Sequence, residues 1–377
     1  ASRSTESKKS DMTVVEVSAP TGRAMRNRPF RTVRVAEVEQ LCDDAAAITF
    51  AVPAEYAAEF SFAPGQSVTV RRAVDGVEQR RTYSICAPAG SRPRIGVREL
   101  PGGAISGWLV HEVAPGDEID LQPPSGSFAA DPATPAHHVL IAAGSGITPI
   151  LSIAASVLAH PQARVTLLYG NRRSSSVMFV DELADLKDAY GARLQIVHVL
   201  SRELRAAELF SGRLDRDRIR TLLQRLVPVG DVDHFWLCGP FGMATDARSA
   251  LDDLGVETSR VHQELFFVED TAPVPAAHVE AEITGPVSDV TIVLDGTTST
   301  LTLPRNESIL DAAQRYRDDL PYACKGGVCG TCRAKVTDGA VDLRRNYALE
   351  PAEVDAGFVL TCQSAPTTDS LTVDFDA

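Results

Sequence analysis

The 377-residue sequence predicts a multi-domain chain: an antiparallel β-barrel, a doubly wound α/β domain, then a small β-grasp domain. Three observations predict it. Residues 30–131 carry short alternating strands separated by turn signals, and residues 132–267 carry five apolar runs alternating with amphipathic stretches. Residues 282–377 hold four of the seven cysteines and 15 acidic against 8 basic residues, an imbalance that marks a separate module.

The composition limits what the chain does. With 44% hydrophobic, 23% charged and 6% aromatic residues, the chain reads as globular, and disorder is excluded as its dominant state. The formal net charge of -13, without a basic block, argues against nucleic acid or an anionic membrane as partner. Apolar runs such as Val139–Ala143 fall far short of the roughly 20 residues that cross a bilayer. Residues 1–29 form a tail. Its first eleven residues lack the apolar core of a signal peptide and read as an added segment ahead of a native start at Met12. An odd number of irregularly spaced cysteines, without an export signal, points to a reducing cytoplasm.

In the first unit the strands are Thr32–Val38, Ala47–Phe50, Ser67–Val70, Arg80–Ile85, Arg94–Arg98 and Asp117–Leu121, with turns at Asp75-Gly76 and Pro115-Gly116; an antiparallel barrel is the economical arrangement. The fourth strand carries Arg81-Thr82-Tyr83-Ser84: a guanidinium for phosphate, an aromatic face for a ring and hydroxyls for polar edges. Period-two alternation puts Arg81 and Tyr83 on one face, so Ser84 reaches such a ring through the strand end or its backbone. Gly102-Gly103-Ala104-Ile105-Ser106 then precedes an amphipathic stretch, Trp108–Val113, a helix N-terminus suited to phosphate.

In the second unit the runs His138–Ala143, Arg164–Tyr169, Leu194–Leu200, His234–Cys238 and Val261–Phe266 alternate with helical stretches Ile150–Ala159, Asp181–Tyr190, Asp217–Arg225 and Gly242–Leu254. Ligands bind such sheets at the C-terminal strand ends, so the residues following each run carry the chemistry. Gly144-Ser145-Gly146-Ile147-Thr148-Pro149 follows the first run and suits a pyrophosphate. Ser201 and Arg202 follow the third, and Arg172 the second; a hydroxyl and guanidinia there suit the 2′-phosphate of NADPH. Cys238-Gly239-Pro240 follows the fourth, where the glycine lets a flat nicotinamide approach the backbone.

The third unit begins with Val290–Leu294 and Ser299–Leu303 about an Asp295-Gly296 turn, followed by a helix from Glu307 to Tyr316 capped near Asn306. Next comes Cys324-Lys-Gly-Gly-Val-Cys329-Gly-Thr-Cys332, with Cys362 thirty residues on. This is the C-x4-C-x2-C…C spacing of a plant-type [2Fe-2S] cluster; zinc ligands come as two short pairs, and here the fourth cysteine stands alone. Cys42 and Cys86 read as packing thiols, and His111, His137 and His138 show no ligand spacing. No Ser-His-Asp or paired-carboxylate arrangement emerges, so the chain itself carries out no oxygen chemistry.

Taken in order, Arg-x-Tyr-Ser, Gly-Gly-x-x-Ser, Gly-Ser-Gly-Ile-Thr-Pro and Cys-Gly-Pro resemble the ferredoxin-NADP reductase superfamily across Phe30–Phe267, and the cysteine motif extends the resemblance to the C-terminus. The resemblance implies FAD, held by Arg81, Thr82, Tyr83 and Ser84, by Val97, and by Gly102, Gly103, Ala104, Ile105 and Ser106. It implies nicotinamide dinucleotide at Gly144, Gly146, Thr148, Arg172, Ser201, Arg202, Cys238, Gly239 and Pro240, with Ser84, Cys238 and Glu264 near the reacting atoms. In this superfamily the segment ending the sheet often brings an acid and an aromatic to the flavin, and Glu264 here is followed by Phe266 and Phe267.

The segments Leu320–Cys329 and Asn346–Cys362 are most similar to the reductase components of phenylacetyl-CoA epoxidases. That narrower resemblance implies the oxygenase subunits of a multicomponent di-iron monooxygenase as partner. A reductase for a steroid or aromatic-ring hydroxylase, or a redox sensor without a dedicated oxygenase, are the alternatives. NADPH delivers two electrons as hydride and a [2Fe-2S] cluster takes one, so a flavin must stand between them. Residues 268–281, with Pro273, Pro275 and several alanines, read as a linker that lets the acidic ferredoxin unit swing between donor and acceptor.

Overall fold

The computed structural model describes residues 29–266, 285–317 and 319–377. The expected linker at 268–281, the segment 1–11 and Phe267 lie outside the described residues.

The first unit is a six-stranded antiparallel sheet made of β1 (Arg31–Cys42), β2 (Ala45–Ala51), β3 (Ser67–Val74), β4 (Val77–Ser84), β5 (Arg94–Arg98) and β6 (Glu118–Ser125). Its order is β4-β3-β6-β1-β2-β5, and an Ile85–Ile95 bridge joins the two outer strands into a barrel. Alternation supplies the core: Val33 and Val35 of β1, Val68 and Val70 of β3, and Ile95 and Val97 of β5 are buried together. α1 (Ala104–His111) buries Ile105 and Leu109 against this core. It begins four residues earlier than the hydrophobic pattern alone suggests, because Gly103 takes the extended N-cap conformation and the chain turns helical directly after it.

The second unit is a five-stranded parallel sheet of β7 (His137–Ala143), β8 (Arg164–Asn171), β9 (Leu194–Leu200), β10 (His234–Gly239) and β11 (Val261–Leu265), in the order β11-β10-β7-β8-β9. The chain runs outward from β7 through β8 to β9, then returns to β7's other side. That reversal opens a crevice between the carboxyl ends of β7 and β10, where the glycine turn and Cys238-Gly239-Pro240 lie. Connecting helices α2 (Ile147–Val157), α3 (Val180–Tyr190), α4 (Arg216–Leu226) and α5 (Phe241–Asp253) cover the sheet. Ten of the eleven residues of α2 are buried, because this helix is packed between sheet and barrel. Its Ser152 hydroxyl donates to Ala87 O (2.7 Å), and its Ser156 hydroxyl accepts from Ala89 N (2.9 Å). These bonds and the edge-on contact of Phe128 with Trp236 (5.1 Å) set the barrel's orientation against the sheet.

The third unit contains β12 (Val287–Leu294), β13 (Thr297–Pro304), α6 (Ile309–Ala313), β14 (Arg333–Asp338), β15 (Val341–Leu343), α7 (Pro351–Asp355), β16 (Phe358–Leu360), β17 (Ser364–Pro366) and β18 (Ser370–Asp374). Its main sheet runs β13-β12-β18-β14-β16, with β12 and β18 parallel, and β15 pairs with β17. The hairpin turn has both Asp295 and Gly296 at positive φ (53° and 72°), the primed geometry that Asp-Gly favours. The helix is shorter than expected. Ser308, not Asn306, is its cap, its hydroxyl accepting from Asp311 N (3.1 Å), and the α-helical segment ends at Ala313. Among the described residues no helix is long and apolar enough to cross a membrane.

Candidate redox site

Three side chains from different elements meet in the crevice. Ser84, the last residue of β4, is buried and donates its hydroxyl to Glu264 Oε2 at 3.0 Å. β10 and β11 run in register with Cys238 opposite Glu264, so the thiol and the carboxyl are neighbours. Burial pushes the Glu264 carboxyl up to about 8, only partly opposed by the Ser84 hydrogen bond. Burial, with the Glu264 charge adding to it, pushes the Cys238 thiol well above its ordinary value. At neutral pH both groups therefore carry protons and the site holds no net charge of its own.

The glycines are there because the backbones touch. A Cβ on Gly146 would overlap the Cys238 carbonyl, and one on Gly239 would meet Met243 Cε at 2.5 Å and Ala143 N at 3.2 Å. Thr148 is buried; its hydroxyl donates to Ser145 O (3.0 Å), while its methyl lies where a side chain on Gly96 of the barrel would project (2.6 Å). Barrel and sheet thus meet directly at the crevice.

Along β4, Arg81 and Tyr83 are half-buried on one face, and Thr82 faces Thr69 across the ladder (3.4 Å between hydroxyls). Burial raises the Tyr83 phenol, opposed by the nearby Arg81 charge. The Val97 side chain belongs to the barrel core, so only its backbone is available to a ligand. Gly102, just before the N-cap of α1, sits at φ +73°, a left-handed backbone that glycine takes without strain. The Ser106 hydroxyl donates to Gly103 O (3.1 Å) and accepts from Leu100 N (3.1 Å), so it braces the turn. What Ala104, Ile105 and Ser106 offer an anion is their backbone N–H groups, which have no intrahelical partner in a first turn. This array matches the demands of a flavin dinucleotide: a half-buried aromatic face, an adjacent guanidinium and a helix N-terminus.

Beyond β8 and β9, Arg202 N donates to Arg172 O (2.8 Å) and Ser201 N to Asn171 O (2.9 Å), which draws Arg172, Ser201 and Arg202 into one cluster. Both guanidinium groups are exposed and neither has an ion-pair partner among the described residues. Glu203, which would oppose a phosphate, instead accepts from the backbone N–H and hydroxyl of Ser174 (3.0 and 3.1 Å). Gly144, at φ +57°, accepts from the Tyr169 hydroxyl (3.1 Å). Two residues escape sequence reasoning. The Asn171 amide is buried at the end of β8 with neither polar atom bonded among the described residues. Arg98 reaches from β5 to Ser176 O (2.6 Å) beside Gly144. Its place at the carboxyl end of β8, two residues beyond the apolar run, was the available signal for Asn171; Arg98, inside a barrel strand, carried none.

The cluster loop is formed by Lys325 (φ 54°), Gly327 (79°) and Gly330 (68°), whose left-handed backbones turn N–H groups toward sulfur; Gly326 N donates to Cys324 Sγ at 3.3 Å. The contact with Cys329, together with backbone N–H groups of Val328, Gly326 and Cys329, lowers the Cys324 thiol to about 6, which favours a thiolate ligand. Cys324 lies against Cys329 and Cys332 against Cys362. Among the described residues no three thiol, imidazole or carboxylate groups converge on one point, as a mononuclear zinc site demands. Thiols paired two and two suit a two-iron cluster, and the donor set fits that group. Cys86, whose Sγ contacts Arg94 O (3.2 Å), and Cys42, beside Asp44 (3.2 Å), take no part. Phe266, beyond Glu264, is exposed.

Comparison with known proteins agrees with this geometry. Profiles of three families match in series: the oxidoreductase FAD-binding domain over residues 32–129, the oxidoreductase NAD-binding domain over 140–249, and the 2Fe-2S iron-sulfur cluster binding domain over 292–367. The chain is 40% identical to one of the subunits of the 1,2-phenylacetyl-CoA epoxidase of Escherichia coli K12, covering 92% of this chain and 98% of that protein. It is 33% identical to the "3-ketosteroid-9-alpha-monooxygenase, ferredoxin reductase component" of Rhodococcus rhodochrous, covering 90% and 95%. Among solved structures it shares the fold of phthalate dioxygenase reductase, with a TM-score of 0.57 at 24% identity over 92% of this chain and 98% of that one. The chain therefore belongs to the ferredoxin-NADP reductase-type flavoproteins that carry a C-terminal [2Fe-2S] ferredoxin, the reductase components of multicomponent oxygenases.

Proposed function

We propose that this chain is the NADPH-oxidising reductase of a cytoplasmic phenylacetyl-CoA epoxidase, feeding electrons through FAD and a [2Fe-2S] cluster to its di-iron oxygenase. The observation that carries the electron route is the meeting of Ser84, Cys238 and Glu264 where the barrel and the nucleotide crevice join. The choice of acceptor rests on the 40% identity to the Escherichia coli epoxidase protein over nearly the whole of both chains. We divide the chain at 30–131 for flavin, 132–267 for nucleotide and 282–377 for the cluster, joined by 268–281.

FAD, when bound, accepts hydride and releases electrons singly. Arg81, Thr82, Tyr83 and Ser84, the backbone at Val97 and the turn from Gly102 to Ser106 would hold it. Gly144, Gly146, Thr148 and Cys238-Gly239-Pro240 position the nicotinamide dinucleotide by letting it approach the backbone closely. Arg172, Ser201 and Arg202 supply charge and a hydroxyl for a 2′-phosphate, which supports NADPH over NADH. Ser84 and the protonated Glu264 hold a proton beside the reacting rings. Cys324, Cys329, Cys332 and Cys362 ligate the cluster.

The test is oxygen-dependent consumption of phenylacetyl-CoA by the chain mixed with the oxygenase subunits of the epoxidase, with NADPH or NADH as donor. Epoxide formation requiring NADPH is the expected result. Reduction of dyes without epoxide would move the acceptor elsewhere, and the 33% identity to the ketosteroid monooxygenase component makes that oxygenase the one to try next.

A further inference from the structure

One face of the β3–β4 hairpin holds more than the flavin ring and a single phosphate use. The two strands pair with Val68 opposite Tyr83, Val70 opposite Arg81 and Arg72 opposite Gln79, so these side chains share a face. Tyr83 and Trp108 of α1 both pack against the barrel core to which Val68 and Val70 belong. Arg72 lies over the Trp108 ring, 4.3 Å from its centroid. From the strand end backwards the face therefore presents an aromatic ring at Tyr83, a guanidinium at Arg81, and a second guanidinium seated on an indole. Each step is about 7 Å of strand.

The arginines of the opposite face are neutralised. Arg71 pairs with Asp120 (3.0 Å) and Glu78 (3.7 Å), and Arg80 with Glu78 (2.6 Å). Arg72 and Arg81 have no carboxylate partner among the described residues. Arg81 donates to Arg80 O (2.7 Å) and reaches Gln79 Oε1 (3.5 Å), which turns it toward the Arg72–Gln79 pair. Two free guanidinia match the charge of a diphosphate. The first turn of α1 faces the same region, and Trp108, four residues after Ala104, lies about 6 Å further along that helix. A flavin mononucleotide would engage Arg81 and the helix start and leave Arg72 and Trp108 idle.

From this we infer that Arg72 and Trp108 hold the adenylate half of FAD and make the chain take FAD in preference to FMN. Arg72 leaves the indole for the diphosphate, and the adenine takes its place over the Trp108 ring. A flat group stays stacked on Trp108 throughout, so the exchange uncovers no apolar surface.

The test uses the full chain, cluster-loaded, with its flavin removed and then restored. The chain has two tryptophans, and Trp236 is buried. ADP, the adenylate half alone, is expected to quench the emission of the parent, and Trp108→Phe to lose most of that quenching. Flavin affinities are then measured by the fluorescence regained on release. The parent should bind FAD at least about tenfold more tightly than FMN. Trp108→Leu and Arg72→Gln should each weaken FAD by about tenfold and leave FMN within about twofold. Arg72 is at the surface of the hairpin, so its variant reports even if Trp108→Leu fails to fold. Equal losses for the two flavins overturn the inference, and so does ADP quenching that persists in Trp108→Phe. The inference rests on the flavin site proposed above: a parent that takes up neither flavin overturns both, whereas one that binds FAD and FMN alike overturns this inference alone.

Discussion

The Ser84 hydroxyl and the Glu264 carboxyl, 180 residues apart in sequence, meet at 3.0 Å and tie the last residue of a barrel strand to the last strand of the nucleotide sheet. Glu264 stays protonated up to about pH 8 because the carboxyl is buried. Flavin reduction by NADPH should therefore show an inflection near pH 8 that Glu264→Gln abolishes, since the amide keeps the Ser84 bond but does not titrate. Stopped-flow flavin absorbance from pH 6 to 10 reads it. A carboxyl whose folded pKa exceeds its ordinary 4.5 favours the fold while protonated, so its contribution is lost as pH rises from about 4.5 through about 8. Above pH 8 the Glu264→Gln chain should melt higher than the parent; equal melting and an unmoved inflection would assign the titration to another group.

Gly146 allows no side chain, since its missing Cβ would overlap the Cys238 carbonyl, an atom of fixed backbone. Gly146→Ala should destabilise the fold by about 1–3 kcal/mol through overpacking and raise KM for the nicotinamide donor. Thermal melting and donor titration of the purified variant check both effects.

The elements were legible because their periods are unmixed. β5 runs over Arg94–Arg98 and β9 over Leu194–Leu200, as their apolar patterns predict, and the cysteine spacing alone named the cluster. The start of α1 and the length of α6 were not legible, since caps are set locally: Gly103 takes the extended N-cap conformation with no side-chain cap bond, and Ser308 displaces Asn306. Nor was the role of Ser84 as donor to Glu264, because period-two alternation describes one strand and the partner lies on another domain. Asn171 shows the same limit: its orphaned amide exists only once β7, β8 and β9 lie side by side.

The proposed preference for NADPH rests on exposed charge at Arg172 and Arg202. Arg202→Ala should raise KM for NADPH about tenfold to hundredfold, the loss of a charge-assisted hydrogen bond, and leave KM for NADH nearly unchanged. Steady-state dye reduction with both donors reads the difference; parallel losses would mean that Arg202 supports the loop instead.

At the opposite end of the sheet, Trp236 Nε1 donates to His138 Nδ1 (3.2 Å) and stacks on His262 (4.1 Å), with His234 between the two histidines. Burial, then the His234 charge, lowers both His138 and His262 to about 4. Groups whose folded pKa is depressed below an ordinary 6.5 stabilise the fold fully above that value and lose this contribution as pH falls through about 4. Melting temperature should fall across that window, and less steeply in His138→Asn. Circular dichroism melts at half-unit pH steps measure it.

On the proposed function, electrons from NADPH reach the four-cysteine cluster through the flavin and leave the chain only from there. The direct measurement is rapid-freeze electron paramagnetic resonance of the loaded chain mixed with NADPH, beside the Cys329→Ser variant. The parent is expected to show a reduced-cluster signal following flavin bleaching, and the variant normal flavin bleaching with neither that signal nor delivery to oxygenase. Oxygenase turnover sustained by the Cys329→Ser chain at the parent rate would contradict it.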